Sequence, residues 1–457
     1  DDLPDWMDRH HVDIVRTHAT SLDGQSIGKY VDRTKFLKNL PEGYGISEMA
    51  MACDIAGQPH LTHWHPERVD NFGDVLLRPD LETLISDGTD PALGHCICDF
   101  THNDGRPHSL CSRTLLKRMI GRLAELGLLA KTTFELEFFL FDESFDDIRR
   151  KQFRNLKPKT GSRLQNIYLL RNAYHATGFM TEVIKRMEWK GIRWENWNDE
   201  AGTGQYELNL VPSDPLSMAD NVMRVKNILY EVAVDQGLAV TFMPKLGEGF
   251  ATGMHMHHSL TTTSGEAAFF DPTAADNHSK VLRHWLGGLQ QTLPAAISFL
   301  APTINSYRRF RDFGAVPLTA TWGEENKSTA LRLVSRSSGL ARIEHRAGAG
   351  DPSPYQAPAV VLADGMAGGE RELEPGPAYE GLAWGTPDSV AKLPTTIMTA
   401  ADALRADTLL PEYLGADFID YWIGTRKAEW LAGHTGGGDP VSPQVSLWEF
   451  QRYFDLV

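Results

Sequence analysis

Phe134-Glu135-Leu136-Glu137-Phe138-Phe139-Leu140-Phe141 is an almost wholly apolar run broken by two carboxylates set two residues apart. In an extended strand successive side chains point to opposite faces, so Glu135 and Glu137 project the same way. Burying paired like charges costs on the order of several kcal/mol unless a counter-charge neutralises them. A metal ion is the simplest counter-charge. Taken alone, the run reads equally well as the solvent-facing edge of an amphipathic strand.

Three further stretches share the design. Glu200-Ala201-Gly202-Thr203-Gly204-Gln205-Tyr206-Glu207-Leu208-Asn209-Leu210 places another carboxylate after a glycine-rich turn, with Tyr206, Leu208 and Leu210 on the face opposite Glu207. Gly253-Met254-His255-Met256-His257-His258-Ser259-Leu260 sets two imidazoles on one face and methionines on the other. Arg342-Ile343-Glu344-His345-Arg346 flanks a carboxylate with two guanidinium groups. Each alone fits a hydrogen-bonded core histidine pair or a surface ion-pair ladder. Together they offer Glu135, Glu137, Glu200, Glu207, His255 and Glu344, an oxygen-rich set that suits two hard Mg2+ or Mn2+ ions rather than thiolate-held zinc. Arginine forks nearby match carboxylate and phosphate, so the set reads as a phosphoryl-transfer site.

The rest of the chain narrows the setting. At 457 residues with 42% hydrophobic content it can bury a large core, and two unequal domains are expected. A net charge of -15 repels nucleic acid and anionic membrane. The one basic run, Arg149 to Lys159, reads as a solvated loop. No apolar stretch approaches the roughly 20 residues of a membrane helix and the start lacks a signal-peptide pattern, so a cytoplasmic protein is expected. Cys53, Cys96, Cys98 and Cys111 are too few and too clustered for a disulfide framework and read as structural thiols. Residues 1–110 form short apolar runs punctuated by Gly, Pro and Asp, such as Gly73 to Asp80 and His95 to Phe100, which predict a small strand-rich domain. Thr114 opens a helical pattern of Leu115, Met119, Leu123 and Leu126 that ends near Gly127, so the second domain, residues 111–457, starts just before it. That domain mixes strands with long helices such as Met218 to Gly237.

In this order, the four strands resemble the glutamine synthetase family, type I-like. A fifth segment agrees: Asn305-Ser306-Tyr307-Arg308-Arg309-Phe310, followed by Trp322-Gly323-Glu324-Glu325-Asn326-Lys327-Ser328-Thr329-Ala330-Leu331-Arg332. The resemblance implies an α+β fold, with a small N-terminal β-grasp-like domain and a large C-terminal catalytic α/β barrel domain. It implies ATP as co-substrate and two or three Mg2+ or Mn2+ ions. Glu137, Glu200 and Glu207 would hold one ion, and Glu135, His255 and Glu344 the other. His257, Ser259, Lys327, Arg332 and Arg342 would face nucleotide and phosphates; Arg309 and Arg346 would clamp glutamate, beside a loop through Ala251 and Gly253. Asp54, Arg309 and Lys327 carry the catalytic roles, Asp54 by binding and deprotonating the incoming amine. Because the first-domain loop that carries Asp54 meets a neighbouring subunit's barrel in this family, a homo-oligomer, a dodecamer of two stacked hexamers, is implied. Glutamate would be phosphorylated on its side chain and the phosphate displaced by an amine.

The chain departs from the ammonia-using members where their active-site-closing glutamate stands. Here the stretch reads Arg309-Phe310-Arg311-Asp312-Phe313-Gly314-Ala315-Val316-Pro317, and Ala315 takes the aligned place. Losing that carboxylate removes a partner for a small cation and leaves space for an organic group. The expected activity is therefore that of a glutamate–amine ligase forming a γ-glutamylamide. An ammonia-using glutamine synthetase, a non-catalytic structural relative, and a kinase for a guanidino compound are the alternatives. Ala251 adds a methyl to the glutamate loop, and Lys327 stands where an arginine usually meets phosphate. Between Glu370 and Pro394 nothing resembles the family's Asn-Leu-Tyr adenylylation loop, so no such regulation is expected.

Overall fold

Two sheets organise the chain. The computed structural model describes residues 2–457 except 61–64, 68–72, 89, 91, 163, 165, 311–314, 336–340 and 386–389. The first sheet contains β1 (Ile14–Thr20), β2 (Ser26–Asp32), β3 (Tyr44–Ser47), β4 (Asp74–Ser86) and β5 (Leu93–Thr101), in the order β2-β1-β5-β4-β3. β1 and β5 run parallel at its centre, and the other neighbours are antiparallel. The second sheet contains β6 (Leu128–Phe141), β7 (Trp194–Asp199), β8 (Gln205–Leu210), β9 (Ala239–Thr241), β10 (Met254–Thr262), β11 (Trp322–Glu324), β12 (Leu331–Val334) and β13 (Arg342–His345). Its order is β11-β12-β13-β10-β6-β8-β7, with β9 pairing to β6.

All four sequence motifs lie in or beside the second sheet. β6 combines buried Phe134, Leu136, Phe138 and Leu140 with the two glutamates, and β10 buries Met254 and Met256 on the side away from His255. Helices Ser112–Glu125 and Pro215–Asp235 cover the expected ranges to within a few residues. The first ends before Gly127 in the left-handed region; the second begins where the Asp214 carboxylate accepts the amides of Leu216 and Ser217. Arg113 joins the two sheets' surroundings. Nearly buried, it donates to Asp80 on β4, Asp99 on β5 and Asp220 on the long helix, at 2.8, 3.0 and 2.9 Å. Tyr355 donates to the same Asp220 at 2.6 Å.

One expectation needs correction. The basic run from Arg149 is not simply a solvated loop, because Arg149 and Arg150 close the short helix Phe145–Arg150. Lys151 reaches the buried Glu143 at 2.6 Å and Lys159 reaches Asp142 at 2.8 Å, so these cations are matched by local acids that a count of basic residues passes over. All four cysteines are free thiols, and Cys96, Cys98 and Cys111 are buried. No helix among the described residues is long and apolar enough to cross a membrane.

Candidate active site

Strand register brings the polar side chains together. β10 pairs antiparallel to β6 with His255 opposite Glu135, and β8 pairs to β6 with Glu207 opposite Glu137. β13 sets Glu344 opposite His257, and β12 sets Arg332 opposite Glu344. Directly opposed residues have Cβ atoms about 5 Å apart, so facing glutamates repel unless a cation lies between or beside them. Glu200 enters from the turn after β7, where its amide donates to the Gln205 carbonyl at 2.9 Å. All six carboxylate and imidazole side chains singled out as ligands line one cavity of about 330 Å3.

Within it, Glu135 receives His255 Nδ1 at 2.9 Å and His257 Nε2 at 2.8 Å. Arg342 Nε donates to His257 Nδ1 at 3.3 Å, which places the proton of that ring on Nε2. Glu135, His257 and Glu344 each offer a donor atom, all within 4.8 Å of one another. His255 borders it, with Nδ1 3.8 Å from Glu344. His257, expected to face the nucleotide, therefore also stands among the potential ligands. Glu137 accepts the Gly253 amide at 2.7 Å and Gln205 Nε2 at 3.0 Å. A Cβ on Gly253 would come 2.9 Å from His255 Nε2 and 3.3 Å from a Glu137 oxygen, so only glycine leaves these two groups undisturbed.

The electrostatics match a cation site. Burial, then the neighbouring Glu137, raises Glu200 to about 7. Burial, then Glu135 and Glu137, raises Glu207 to about 9. Burial opposes ionisation of Glu135 too, but His255 and His257 hold it well below the usual carboxylate range. A divalent ion removes the mutual repulsion that pushes Glu200 and Glu207 up. Five carboxylates with imidazole suit Mg2+ or Mn2+ better than softer ions.

Two chambers flank this strip. Arg309, Arg346, Ala251, Gly253, Lys327 and Ala315 line the smaller one. Arg309 and Arg346 are almost wholly buried, and the Nε atom of each lacks a partner among the described residues. Burial lowers Arg309 to about 10, which still leaves it a cation at neutral pH. Unpaired buried guanidinium N–H groups are strong binders of carboxylate. The larger chamber, about 850 Å3, is lined by His257, Ser259 and Arg342 and shares Glu135, Glu207 and Tyr168 with the smaller.

Two expected residues lie apart from both chambers. Arg332 is held by Glu344 and Glu325, each at 2.8 Å. Asp54 pairs with Arg452 at 2.7 Å and accepts the amides of Ala56 and Gln58. Asp312 and Phe313, considered at the sequence level, fall outside the described residues. Gln205 and Tyr168 were missed. Gln205 shares the face of Glu207 two residues on, so period-two counting could have found it; no pattern marks Tyr168, which sits in irregular backbone at φ 59°.

Known proteins resemble this chain in sequence and fold. Residues 109–453 match the family model "Glutamine synthetase, catalytic domain". A glutamate–isopropylamine ligase from a Pseudomonas species is 29% identical over 99% of this chain and 97% of its own. A glutamine synthetase from Thermus thermophilus is 31% identical, covering 83% of this chain and 84% of its own. The solved structure of ligand-free GmaS superposes with a TM-score of 0.84 at 26% identity, covering 98% of each chain.

Proposed function

The chain belongs to the glutamine synthetase family of ATP-dependent ligases, and we propose that it forms a γ-glutamylamide from glutamate and an organic amine. The observation that carries the choice of amine is Ala315. It lines the smaller chamber together with Val316, Ile167 and Trp384, so this wall offers apolar surface where a carboxylate would attract ammonium. The similarity to a glutamate–isopropylamine ligase along nearly the whole chain supports the same reading.

In this reading the unpaired Nε atoms of Arg309 and Arg346 orient glutamate in the smaller chamber, with its side-chain carboxylate toward the ligand strip. ATP occupies the larger chamber along His257, Ser259 and Arg342. Glu137, Glu200 and Glu207 would hold one divalent ion, and Glu135, Glu344 and His255 a second, with His257 close enough to share it. When bound, these ions neutralise the phosphate oxygens. Lys327 supplies a further cation beside the transferring phosphoryl group. The side-chain carboxylate attacks the terminal phosphorus, ADP leaves, and a neutral amine then displaces phosphate from the γ-glutamyl phosphate.

Two structural readings accompany the chemistry. Residues 1–110 form a β-grasp-like unit, supported by the central parallel β1–β5 pair, and 111–457 form the catalytic barrel domain. The chain assembles as a dodecamer of two rings in which Asp54 serves a neighbour's site, consistent with its place away from both chambers of its own chain.

A panel of ammonium, alkyl, aryl and polyamine substrates with glutamate and ATP, read by phosphate release and product mass, tests the reading. Turnover with organic amines at concentrations where ammonium is poor supports it. The Thermus glutamine synthetase relative gives the second reading, ammonia as substrate, and efficient turnover with ammonium alone would establish that instead.

A further inference from the structure

Asp54 stands in a short turn whose shape is fixed from within. Its amide donates to the Gln58 carbonyl at 2.8 Å, the Gly57 amide donates to the Asp54 carbonyl at 2.9 Å, and Cys53 bridges to Pro59. Asp54 Oδ1 accepts the amides of Ala56 and Gln58, which orients the carboxylate within the turn. These bonds hold the turn together but leave open where it stands against the larger domain. Gln25 Nε2, from the same small domain, reaches the Ile55 carbonyl at 3.1 Å. Arg452, 398 residues away in sequence, comes from the larger domain and donates through Nη2 to Asp54 Oδ2 at 2.7 Å. A carboxylate offers about four lone-pair sites. Three are taken by these two amides and the guanidinium, so one is left for an incoming cation or amine.

Arg452 is itself held in one orientation. It lies on the helix Leu447–Tyr453, and its nearly buried fork donates through Nε and Nη2 to the two oxygens of buried Glu429 at 2.8 and 2.7 Å. The Trp448 ring packs against it, with the guanidinium carbon 5.2 Å from the ring centroid. Bidentate pairing fixes the plane of the fork, and with it the direction of the bond to Asp54. Without the guanidinium, the Asp54 and Glu429 carboxylates that now share Nη2 would face each other uncompensated, and repulsion would move Asp54. The helix does not depend on this contact for its place. Ser446 and Glu449 form its capping box, and Glu449 accepts Asn305 Nδ2 at 2.9 Å and Arg308 Nη2 at 3.0 Å.

We propose that Arg452 is a positioning residue for the amine step, holding the Asp54 carboxylate in the place and orientation in which it meets the incoming amine. The proposal rests on the reading of Asp54 as the group that binds and deprotonates that amine. Arg452 lines neither chamber and acts only through Asp54. Phosphorylation of glutamate makes no use of it, so its loss weakens the amine step and leaves the binding of glutamate and ATP unchanged.

Steady-state kinetics of the whole protein test this, with isopropylamine as the amine or, if that is not turned over, ammonium. In Arg452→Met, kcat/KM for the amine should fall roughly 10- to 100-fold while KM for glutamate and for ATP stays within about twofold. Arg452→Lys, which keeps the charge without the fork, should recover part of the loss. In an Asp54→Asn background there is no carboxylate charge left to place, so adding Arg452→Met should cost less than about a further twofold. Unchanged KM values for glutamate and ATP guard against a folding defect, and Arg452→Lys provides the milder variant. If Asp54→Asn alone keeps the native kcat/KM for the amine, the reading of Asp54 fails and the proposal with it. If Asp54→Asn is impaired but Arg452→Met is not, or if the two losses multiply in full, Asp54 keeps its role and the proposal for Arg452 is overturned.

Discussion

At the scale of single residues, the proposed choice of an organic amine rests on Ala315. It holds φ 59°, a left-handed conformation unusual for a residue with a Cβ, and lines the same chamber as the two arginines. Ala315→Glu should return a carboxylate to that wall. A hydrogen bond to a charged group contributes about 1.5–3 kcal/mol, so preference for ammonium over an alkyl amine should rise roughly 10- to 100-fold. Competition between the two amines, with products quantified by mass, measures the ratio; an unchanged ratio would remove Ala315 from the account. A second expectation concerns Glu200 and Glu207. Their pKa values of about 7 and 9 exceed the ordinary 4.5, so the fold binds protons that the unfolded chain has released. Stability from these groups is present below about pH 4.5 and is lost as pH rises through 7 and 9. A divalent ion that replaces the protons restores it. The thermal shift produced by Mg2+ or Mn2+ should therefore be roughly twofold larger near pH 8 than near pH 6. A shift that shrinks with rising pH would contradict the assignment.

At the scale of elements, the site is a product of register. Sliding β10 by one residue against β6 would turn His255 and His257 to the other face and bury them where Met254 and Met256 now pack. This is why the six side chains that line one cavity were legible in the sequence. Alternation along each strand, Glu135 with Glu137 or His255 with His257, names the face without knowledge of the partner strand. What alternation cannot give is which residues oppose one another. The approach of His257 to Glu135 and Glu344, and the ion pairs that withdraw Arg332 from the chambers, depend on cross-strand neighbours distant in sequence. Gly253 tests the element scale. Gly253→Ala places a methyl against His255 Nε2 and Glu137 at the start of β10. Apparent affinity for Mg2+ or Mn2+ should fall roughly 10- to 100-fold, with circular dichroism unchanged; metal titration of activity reads it, and native affinity in the variant would refute the geometry.

At the scale of the whole molecule, the two-sheet, mixed α/β architecture followed from strand and helix patterns, and the family from the order of motifs. Assembly is a different matter, since the pairing of Asp54 with Arg452 is internal and says nothing of neighbours. If Asp54 serves an adjacent chain, an inactive Asp54→Ala protein mixed with an inactive Arg309→Ala protein should recover activity after dissociation and reassembly. Random mixing in a ring leaves roughly a quarter of sites with both native residues; no recovery at all would place Asp54 and Arg309 in one chain's site. The chemistry itself is tested most directly by glutamate labelled with heavy oxygen in its side-chain carboxylate, incubated with ATP and an alkyl amine. The expected result is one labelled oxygen transferred to the released phosphate for each γ-glutamylamide formed. Amide formed with phosphate free of label would contradict the claim that this strip of carboxylates and imidazoles serves to activate glutamate by phosphorylation.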